Sequence, residues 1–200
     1  MISYFLHSAV LLDGKILIDP HDGTSIGLPR FNAKPDIILV THNHYDHNAC
    51  ELYNAKCYMS VRELNHSGYN VKGIESYHDK RKGKDRGSNT IYEIVTPDGR
   101  KIVHLGDLGH LLSDEVVKEL RGADVVAVPV GGVITINADE ALKVVEALSP
   151  RIVLPIHYWV KGHYMPIDPP DEFLKKIGMK IEKINESVDE KSYDSVVFTV

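Results

Sequence analysis

The sequence predicts an α+β fold in which two β-sheets pack together and helices lie outside them. Short apolar runs rich in β-branched residues recur in both halves of the chain, and each run has the length of a strand. Segments with helical periodicity separate many of these runs. The 200 residues are 43% hydrophobic, and no linker-like segment divides them. Residues 1–200 are therefore predicted to form a single domain around one core.

The N-terminal half begins with three runs that are expected to form antiparallel strands. They cover residues 2–7, 9–12 and 16–19, and Asp13-Gly14 provides a hairpin turn between the last two. A buried strand is predicted over residues 36–41. The elements predicted after it are a helix at about 47–54, a strand at 56–59, a helix from Ser60, and a strand at 74–77.

The second half repeats this outline. Strands over residues 90–96 and 101–105 are joined by the turn Pro97-Asp98-Gly99 and predict a hairpin. Asn137 and Glu140 have the spacing of a capping box, which opens a helix that extends to Leu148. The remaining predicted elements are a helix at 113–120, strands at 125–130 and 151–156, a helix at 171–177, and strands at 180–184 and 195–200.

The most informative segment is His42-Asn-His44-Tyr-Asp46-His47, which directly follows the predicted strand 36–41. It places three imidazoles and a carboxylate within one turn of backbone, and these groups are typical metal ligands. His42 and His44 point to one side of extended backbone, while the tighter turn through Asp46 and His47 can direct a second pair elsewhere. The loop could therefore supply two adjacent ions, although helix capping would also explain Asp46.

Three further titratable residues follow other predicted strands. They are His78 after 74–77, Asp107 after 101–105 and His157 after 151–156. Recurrence at several strand ends favours one cluster with the metal loop. Among the other histidines, His104 is expected to support the site or the core and His110 to contact substrate, whereas His7, His21, His66 and His163 show no such spacing.

Charge and the N-terminal segment exclude several classes of function. The net charge of −5 leaves no basic footprint for a polyanion, so no nucleic-acid partner is expected. The first residues lack the features of a signal peptide, and no window is apolar enough to cross a membrane. A cytoplasmic location is therefore expected. In a reducing compartment, Cys50 and Cys57 are expected to be two small buried residues rather than a disulfide.

These residues resemble the metallo-β-lactamase superfamily, and the match runs through nearly the whole chain. Six segments resemble one branch of it, which contains the ascorbate-6-phosphate lactonases and related metal-dependent hydrolases. They are Thr41-His-Asn-His-Tyr-Asp-His47, Tyr77-His-Asp79, Arg86-Gly-Ser-Asn-Thr90, His104-Leu-Gly-Asp-Leu-Gly-His110, Pro129-Val-Gly-Gly132 and Pro155-Ile-His-Tyr158. The resemblance implies a four-layer αββα sandwich, with two mixed sheets flanked by helices.

The resemblance also implies roles for individual residues. The implied ligands are His42, His44 and His78 for one ion, Asp46, His47 and His157 for the other, and Asp107 as a bridge between both. Asp19 matches an early aspartate that supports the metal loop by hydrogen bonding, although an Asp before Pro20 could simply form a turn. Imidazole and carboxylate donors without thiolate make two zinc ions the expected cofactor, and manganese(II) or iron(II) would also suit them.

The activity that this site would support is metal-dependent hydrolysis of a small molecule. A hydroxide shared by two ions would attack an ester, lactone or phosphodiester, with Asp46 and Asp107 as the catalytic carboxylates. Residues expected at the substrate rim, or in loop structure, are Arg86, Asn89, His110 and Thr135. The alternatives are a non-catalytic metal-binding or regulatory protein and, less favoured, a nuclease. Because lactonase relatives are often oligomeric, the apolar segment Tyr158-Trp-Val160 is a candidate homo-oligomer contact.

Overall fold

Two β-sheets form the centre of the computed structural model, which describes residues 1–200. The strands are β1 (Ile2–Tyr4), β2 (Val10–Leu12), β3 (Ile16–Ile18), β4 (Ile37–Val40), β5 (Lys56–Met59), β6 (Glu63–His66), β7 (Tyr69–Tyr77), β8 (Ser88–Val95), β9 (Lys101–His104), β10 (Val125–Pro129), β11 (Ile152–Ile156), β12 (Lys180–Lys183), β13 (Ser187–Val188) and β14 (Val196–Thr199). The α-helices are α1 (Asp114–Leu120), α2 (Ala138–Leu148) and α3 (Asp171–Lys176). Three 3₁₀ turns cover Thr24–Ile26, Cys50–Leu52 and Glu190–Ser192.

Both sheets are mixed. The first has six strands in the order β13-β1-β2-β3-β4-β5, in which β3, β4 and β5 run parallel. The second has eight strands in the order β12-β14-β11-β10-β9-β8-β7-β6. Its half from β12 to β9 is parallel, whereas β6 to β9 pair as antiparallel hairpins. The predicted α+β architecture of two mixed sheets with helices outside is confirmed.

The central strands β2, β3 and β4 of the first sheet are apolar on both faces. Along β3, Ile16 and Ile18 belong to the main core, while Leu17 points to the opposite face. That outer face is covered by loop side chains, among them Phe31 and Tyr53, which pack against it. Burial on both faces explains why these strands appear in the sequence as continuous apolar runs rather than as alternating apolar and polar residues.

The three α-helices lie beside the second sheet. Helix α2 contacts α1, α3 and β10. At its start, the Asn137 side chain accepts a hydrogen bond from the backbone of Glu140, and the Glu140 side chain accepts one from the backbone of Asn137. The predicted capping box is therefore confirmed. None of the three helices is long and apolar enough to cross a bilayer.

Two helices predicted in the first half are wrong. The segment after the metal loop forms only the 3₁₀ turn Cys50–Leu52, since the N–H of Ala49 donates to Pro20 instead of continuing a helix. The segment after Ser60 forms β6, which pairs with β7. Ser67 and Gly68 adopt φ angles of 48° and 83° and make the two-residue hairpin turn between these strands. Positive φ at both turn residues matches the twist of a hairpin.

Cys50 and Cys57 are joined by a disulfide, contrary to the expectation that both are free. Cys50 begins the 3₁₀ turn, and Cys57 lies on the neighbouring edge strand β5. Their Cα atoms are 6.1 Å apart, within the range that a disulfide spans. The 3₁₀ turn and β5 follow one another in the chain, and this brings the two cysteines together. Their spacing in sequence alone did not indicate pairing.

Candidate metal centre

The metal loop leaves the carboxyl end of β4 and turns sharply. The N–H of His44 donates to the carbonyl of His42, and the N–H of His47 donates to that of His44, both at 3.0 Å. His42, Asp46 and His47 are buried, and His44 is partly exposed. The tight turn therefore divides the loop into two pairs of donors, as the sequence pattern predicts.

Asp19 holds this loop in place from the end of β3. Its carboxylate accepts hydrogen bonds from the backbone N–H and the hydroxyl of Thr41, at 2.8 and 2.7 Å. It also lies 3.1 Å from Nδ1 of His47. Burial acts to raise the pKa of Asp19, but the hydrogen bond from His47 outweighs it and keeps that pKa below its usual value. With Nδ1 bonded to a carboxylate, the Nε2 atom of His47 is free for a metal ion.

His42, His44 and His78 form the first group of donors. One ring nitrogen of each lies within 4.8 Å of the others. His42 and His44 come from the metal loop, and His78 follows β7. The sequence separates them by up to 36 positions, so it is the register of β7 in the second sheet that brings His78 opposite the loop.

Asp46, His47 and His157 form the second group, and His7 lies next to it. The donor atoms of these four residues also lie within 4.8 Å of one another. His157 follows β11 with a left-handed φ of 50°, which turns its side chain back towards the loop. The two groups lie side by side because His42 and His47 are neighbours, with ring centres 4.3 Å apart.

Asp107 lies between the two groups. Its Oδ2 atom is 2.9 Å from Nε2 of His78, 3.1 Å from that of His157, 3.3 Å from that of His47 and 3.7 Å from that of His42. One carboxylate oxygen thus approaches nitrogens from both groups. Asp107 could therefore join the donors of either group.

The buried polar atoms of the centre lack partners within the protein. Nε2 of His42, His47 and His157 and Oδ1 of Asp107 are buried and form no hydrogen bond. A buried polar atom without a partner is destabilising by about 1–3 kcal/mol. Three of these atoms are imidazole nitrogens within 3.7 Å of Oδ2 of Asp107, and all four are of the types that divalent cations bind, so they fit a metal centre.

The electrostatics of the centre favour a cation. Burial lowers the pKa of His42 to about 3, so its imidazole is neutral at physiological pH, as a metal ligand must be. Burial acts to raise the pKa of Asp107, but the charges of His157 and His47 hold it well below its usual value. Asp107 and Asp46 in turn raise the pKa of His47 well above the usual value, against the effect of burial. The field that stabilises a proton there would stabilise a metal cation as well.

The structure places Asn89 behind the centre rather than at a substrate rim. Its side chain is buried, its amide N–H groups donate to Ser76 and Leu105, and its Oδ1 accepts from the backbone N–H of Asp107 at 3.0 Å. Two of these bonds hold the segment around Asp107, and the third joins β8 to β7. Of the two roles predicted for Asn89, substrate rim or loop structure, its position favours the second.

His110 and His104 also bond to backbone. The ring nitrogens of His110 lie 3.2 Å from the Tyr77 N–H and 2.7 Å from the Leu111 carbonyl, so its contact with substrate stays a prediction. His104 is buried on β9, where Nε2 bonds the Ser8 carbonyl and Nδ1 accepts from the N–H of Gly106. It supports the loop before Asp107, as predicted.

His7 is a member of the buried cluster that the sequence did not reveal. No motif spacing relates it to the other donors, yet its Nε2 lies 2.9 Å from Asp46. One signal was present, since His7 follows β1 as the other donors follow their strands. His163 and His21 lie farther out, with ring centres 5.2 and 6.2 Å from that of His7. His66 is on β6, near Asp36.

A cavity of about 420 Å³ opens beside the first group of donors. His78 forms part of its wall, so a molecule bound there would lie next to the centre. Arg86 and Thr135, both expected near substrate, also line it, together with Lys80 and Glu140. The cavity has the size of a small-molecule site.

Comparison with known proteins agrees with this geometry. Residues 1–157 match the family described as the beta-lactamase superfamily domain. A metal-dependent hydrolase from Pyrococcus abyssi, of the family UPF0173, is 33% identical and is aligned over 92% of this chain and 94% of its own length.

Solved structures are similar as well. A metallo-β-lactamase superfamily protein from Thermotoga maritima is 31% identical, with a TM-score of 0.77 over 98% of this chain and 96% of that one. A metallo hydrolase from Ignicoccus hospitalis, 24% identical, shares the fold with a TM-score of 0.67 over 88% and 89% of the two chains. With the family match and the buried His/Asp cluster, these relatives identify the chain as a metal-dependent hydrolase that belongs to the metallo-β-lactamase superfamily.

Proposed function

We propose that the protein uses two divalent metal ions, with zinc as the expected metal, to hydrolyse an ester, lactone or phosphodiester bond of a small molecule. The observation that carries this proposal is the position of Asp107. A single carboxylate oxygen lies within 3.7 Å of nitrogens from both groups of histidines. A centre for one ion would not need donors on both sides of that oxygen.

Each proposed ion has its own set of donors. The first would be held by His42, His44 and His78, the second by Asp46, His47 and His157, and both by Asp107. These nitrogen and oxygen donors suit Zn²⁺ and also Mn²⁺ or Fe²⁺. Two such ions, when bound, lower the pKa of a shared water molecule so that it becomes a nucleophile near neutral pH.

The carboxylates of the chain would guide that nucleophile. Asp46 is buried and ionised, because the charge of His47 overcomes the effect of burial and holds the pKa of Asp46 far below its usual value. Because it stays ionised, it can accept a hydrogen bond from the attacking water and so orient it. Asp107 is held in place by the hydrogen bond from its N–H to Asn89.

The cavity beside His78 supports a substrate of small size. Its walls carry both signs of charge, and Lys80 is already paired with Glu140. Arg86 is exposed and lines the same cavity, so it is the side chain best placed to meet a polar or anionic group of the substrate. With a net charge of −5, the chain offers no general attraction for nucleic acid, and we expect none as a partner.

The direct test is metal content measured by elemental analysis, together with hydrolysis of a panel of lactones, phosphodiesters and thioesters. The wild-type protein should contain close to two metal ions per chain and lose turnover when they are removed. Asp107→Ala should lose metal and activity, while His66→Ala, a histidine remote from the centre, should retain both. A folded Asp107→Ala protein with full activity, or a wild-type protein that neither binds metal nor responds to it, would refute the proposal.

A further inference from the structure

His7 lies beside the second group of donors although it belongs to none of the motifs. It follows β1, and only 2% of the residue is exposed. Its Nε2 atom is 2.9 Å from Oδ2 of Asp46, and its ring centre is 4.5 Å from that of His157. His7 thus contacts two of the residues assigned to the second ion.

The direction of the His7 ring distinguishes it from the metal donors. The Nε2 atoms of His47 and His157 lie 3.3 and 3.1 Å from Oδ2 of Asp107, yet neither forms a hydrogen bond. Short approaches without hydrogen-bond geometry are expected of groups that share an ion, because each lone pair points at the ion. His7 instead has a hydrogen-bonding distance and direction towards Asp46. It therefore has the geometry of a donor to a ligand rather than that of a ligand.

The Asp46 carboxylate depends on this contact. The bond from His7 is the single hydrogen bond that it accepts, whereas the carboxylate of Asp19 accepts three from Thr41 and His47. Nε2 of His47 also approaches the same oxygen, at 3.3 Å, but it forms no hydrogen bond there. The contact from His7 is therefore the shorter and better directed of the two that Asp46 makes with imidazoles.

The backbone holds His7 in position for this task. Leu6 and His7 have φ angles of 69° and 52°, a conformation that L-residues rarely adopt. The carbonyl of His7 accepts hydrogen bonds from the Tyr4 hydroxyl at 3.0 Å and from the N–H of His157 at 2.6 Å. One residue is thus tied through its backbone to His157 and through its ring to Asp46. Strained conformations that are held by several contacts are concentrated at functional sites.

We propose that His7 is a positioning residue, which sets the orientation of the Asp46 carboxylate by donating a hydrogen bond from Nε2 to Oδ2. This inference rests on the proposed role of Asp46 as a ligand and as the group that orients the attacking water. It adds a residue from the first turn of the chain to the centre. It also predicts that His7 affects turnover more than metal content.

Two substitutions separate the roles that His7 could have. His7→Ala removes the N–H donor, whereas His7→Gln keeps an N–H near the position of Nε2 but has no imidazole lone pair. His7→Ala should retain close to two metal ions per chain while kcat falls by about 10- to 100-fold, the usual range for partners of ligands, with little change in KM. His7→Gln should recover most of the lost kcat. His21→Ala removes a buried neighbouring histidine that does not touch Asp46, and it should stay near the wild-type kcat.

A second readout does not depend on the substrate. In the cobalt(II)-substituted protein, visible absorption should change in His7→Ala, because the Asp46 carboxylate takes another orientation, and return towards the wild-type spectrum in His7→Gln. Wild-type kcat and spectrum in His7→Ala would overturn the inference. Loss of one ion in both variants would make His7 a ligand and overturn it too. A wild-type protein that binds no metal would instead count against the proposed function, so the two failures are distinguishable.

Discussion

Nδ1 of His47 lies 3.1 Å from Oδ2 of Asp19, on the side of the imidazole ring opposite the nitrogen that approaches Asp107. Asp19 is fully buried, and the same oxygen accepts a bond from the Thr41 hydroxyl. The carboxylate therefore sets both the direction of the His47 ring and the start of the metal loop. Such partners usually determine which nitrogen of a ligand histidine is available for metal.

Replacing Asp19 with alanine should therefore affect both stability and metal binding. The substitution leaves the N–H of Thr41 and Nδ1 of His47 without partners and removes one of the two bonds of the Thr41 hydroxyl, which keeps its contact with Nδ1 of His42. We expect a loss of at least about 2 kcal/mol in unfolding free energy. Urea denaturation with and without added zinc would measure it. Asp36→Ala, which removes an exposed carboxylate, should change stability little. Equal stabilities of Asp19→Ala and the wild type would contradict this account of the loop.

Removal of metal should lower the thermal stability of the protein. Ions whose free concentration is about 100 times their dissociation constant for the folded state add about 2.7 kcal/mol to the unfolding free energy. For a chain of this size that corresponds to a decrease in Tm of about 5–10 °C after chelation. Calorimetry before and after treatment with EDTA, followed by addition of zinc, would test this. Asp107→Ala should show a much smaller change, and an unchanged wild-type Tm after proven removal of metal would argue against a structural contribution of the ions.

The carboxylate of Asp13, remote from the metal centre, should make stability depend on pH. Burial acts to raise its pKa, but hydrogen bonds from the N-terminal amine, Tyr69 and Arg100 outweigh it and lower the pKa below the usual value of 3.8. Because the folded-state pKa is depressed, the stabilisation is present above the unfolded-state pKa and is lost as the pH falls through the folded-state value.

The expected difference in unfolding free energy between the wild type and Asp13→Asn is thus greatest at neutral pH. It should shrink steadily as the pH falls below about 4. The unfolded wild type takes up the proton first, and the folded wild type follows at its lower pKa. Urea titrations of metal-free protein at several pH values would show the trend. Asp194→Asn, at an exposed position, is the matched control. A difference that grows towards acid pH would contradict the sign of this linkage.

The clustering of the candidate ligands could be predicted from sequence because four of them lie within six residues and the others follow strands. The carboxyl ends of strands that run in the same direction lie at one edge of a sheet, so His78, Asp107 and His157 could be grouped without knowledge of the full topology. The contacts of His7 and Asn89 could not be inferred in this way. Each depends on a partner distant in sequence, as when the pairing of Ser76 with Asn89 across the β7–β8 hairpin brings the Asn89 side chain to Asp107.

The errors in secondary structure have a similar origin. The segment 60–66 has no strong strand signal of its own, and pairing with β7 determines its conformation. Strand propensity depends on neighbouring strands more than on the residues themselves. The disulfide has a different origin: free cysteines were expected because a reducing compartment was assumed, whereas the position of the edge strand β5 brings Cys50 and Cys57 into contact.

Two glycines that carry no functional group should nevertheless be essential to the centre. A Cβ atom on Gly109 would overlap the backbone of His78 and Asp79, and one on Gly131 would overlap the carbonyl of His157. The N–H of Gly109 donates to Tyr77 and that of Gly131 to His157, so neither segment can move away without losing a bond. Alanine at either position should push a ligand-bearing loop out of place.

Gly109→Ala and Gly131→Ala are each expected to lower kcat/KM at least about tenfold, since small displacements of positioned groups have large effects on rate. They should also be destabilised by about 1–3 kcal/mol through overpacking. Gly122→Ala is the control, because no atom lies within 4 Å of its added methyl group and its positive φ of 73° gives only local strain. Measurement of kcat/KM, metal content and Tm on all three variants separates a displaced ligand from general destabilisation. Gly109→Ala could instead lose no more stability than Gly122→Ala and keep its kcat/KM. His78 would then not need its present position, and its assignment to the first ion would have to be abandoned.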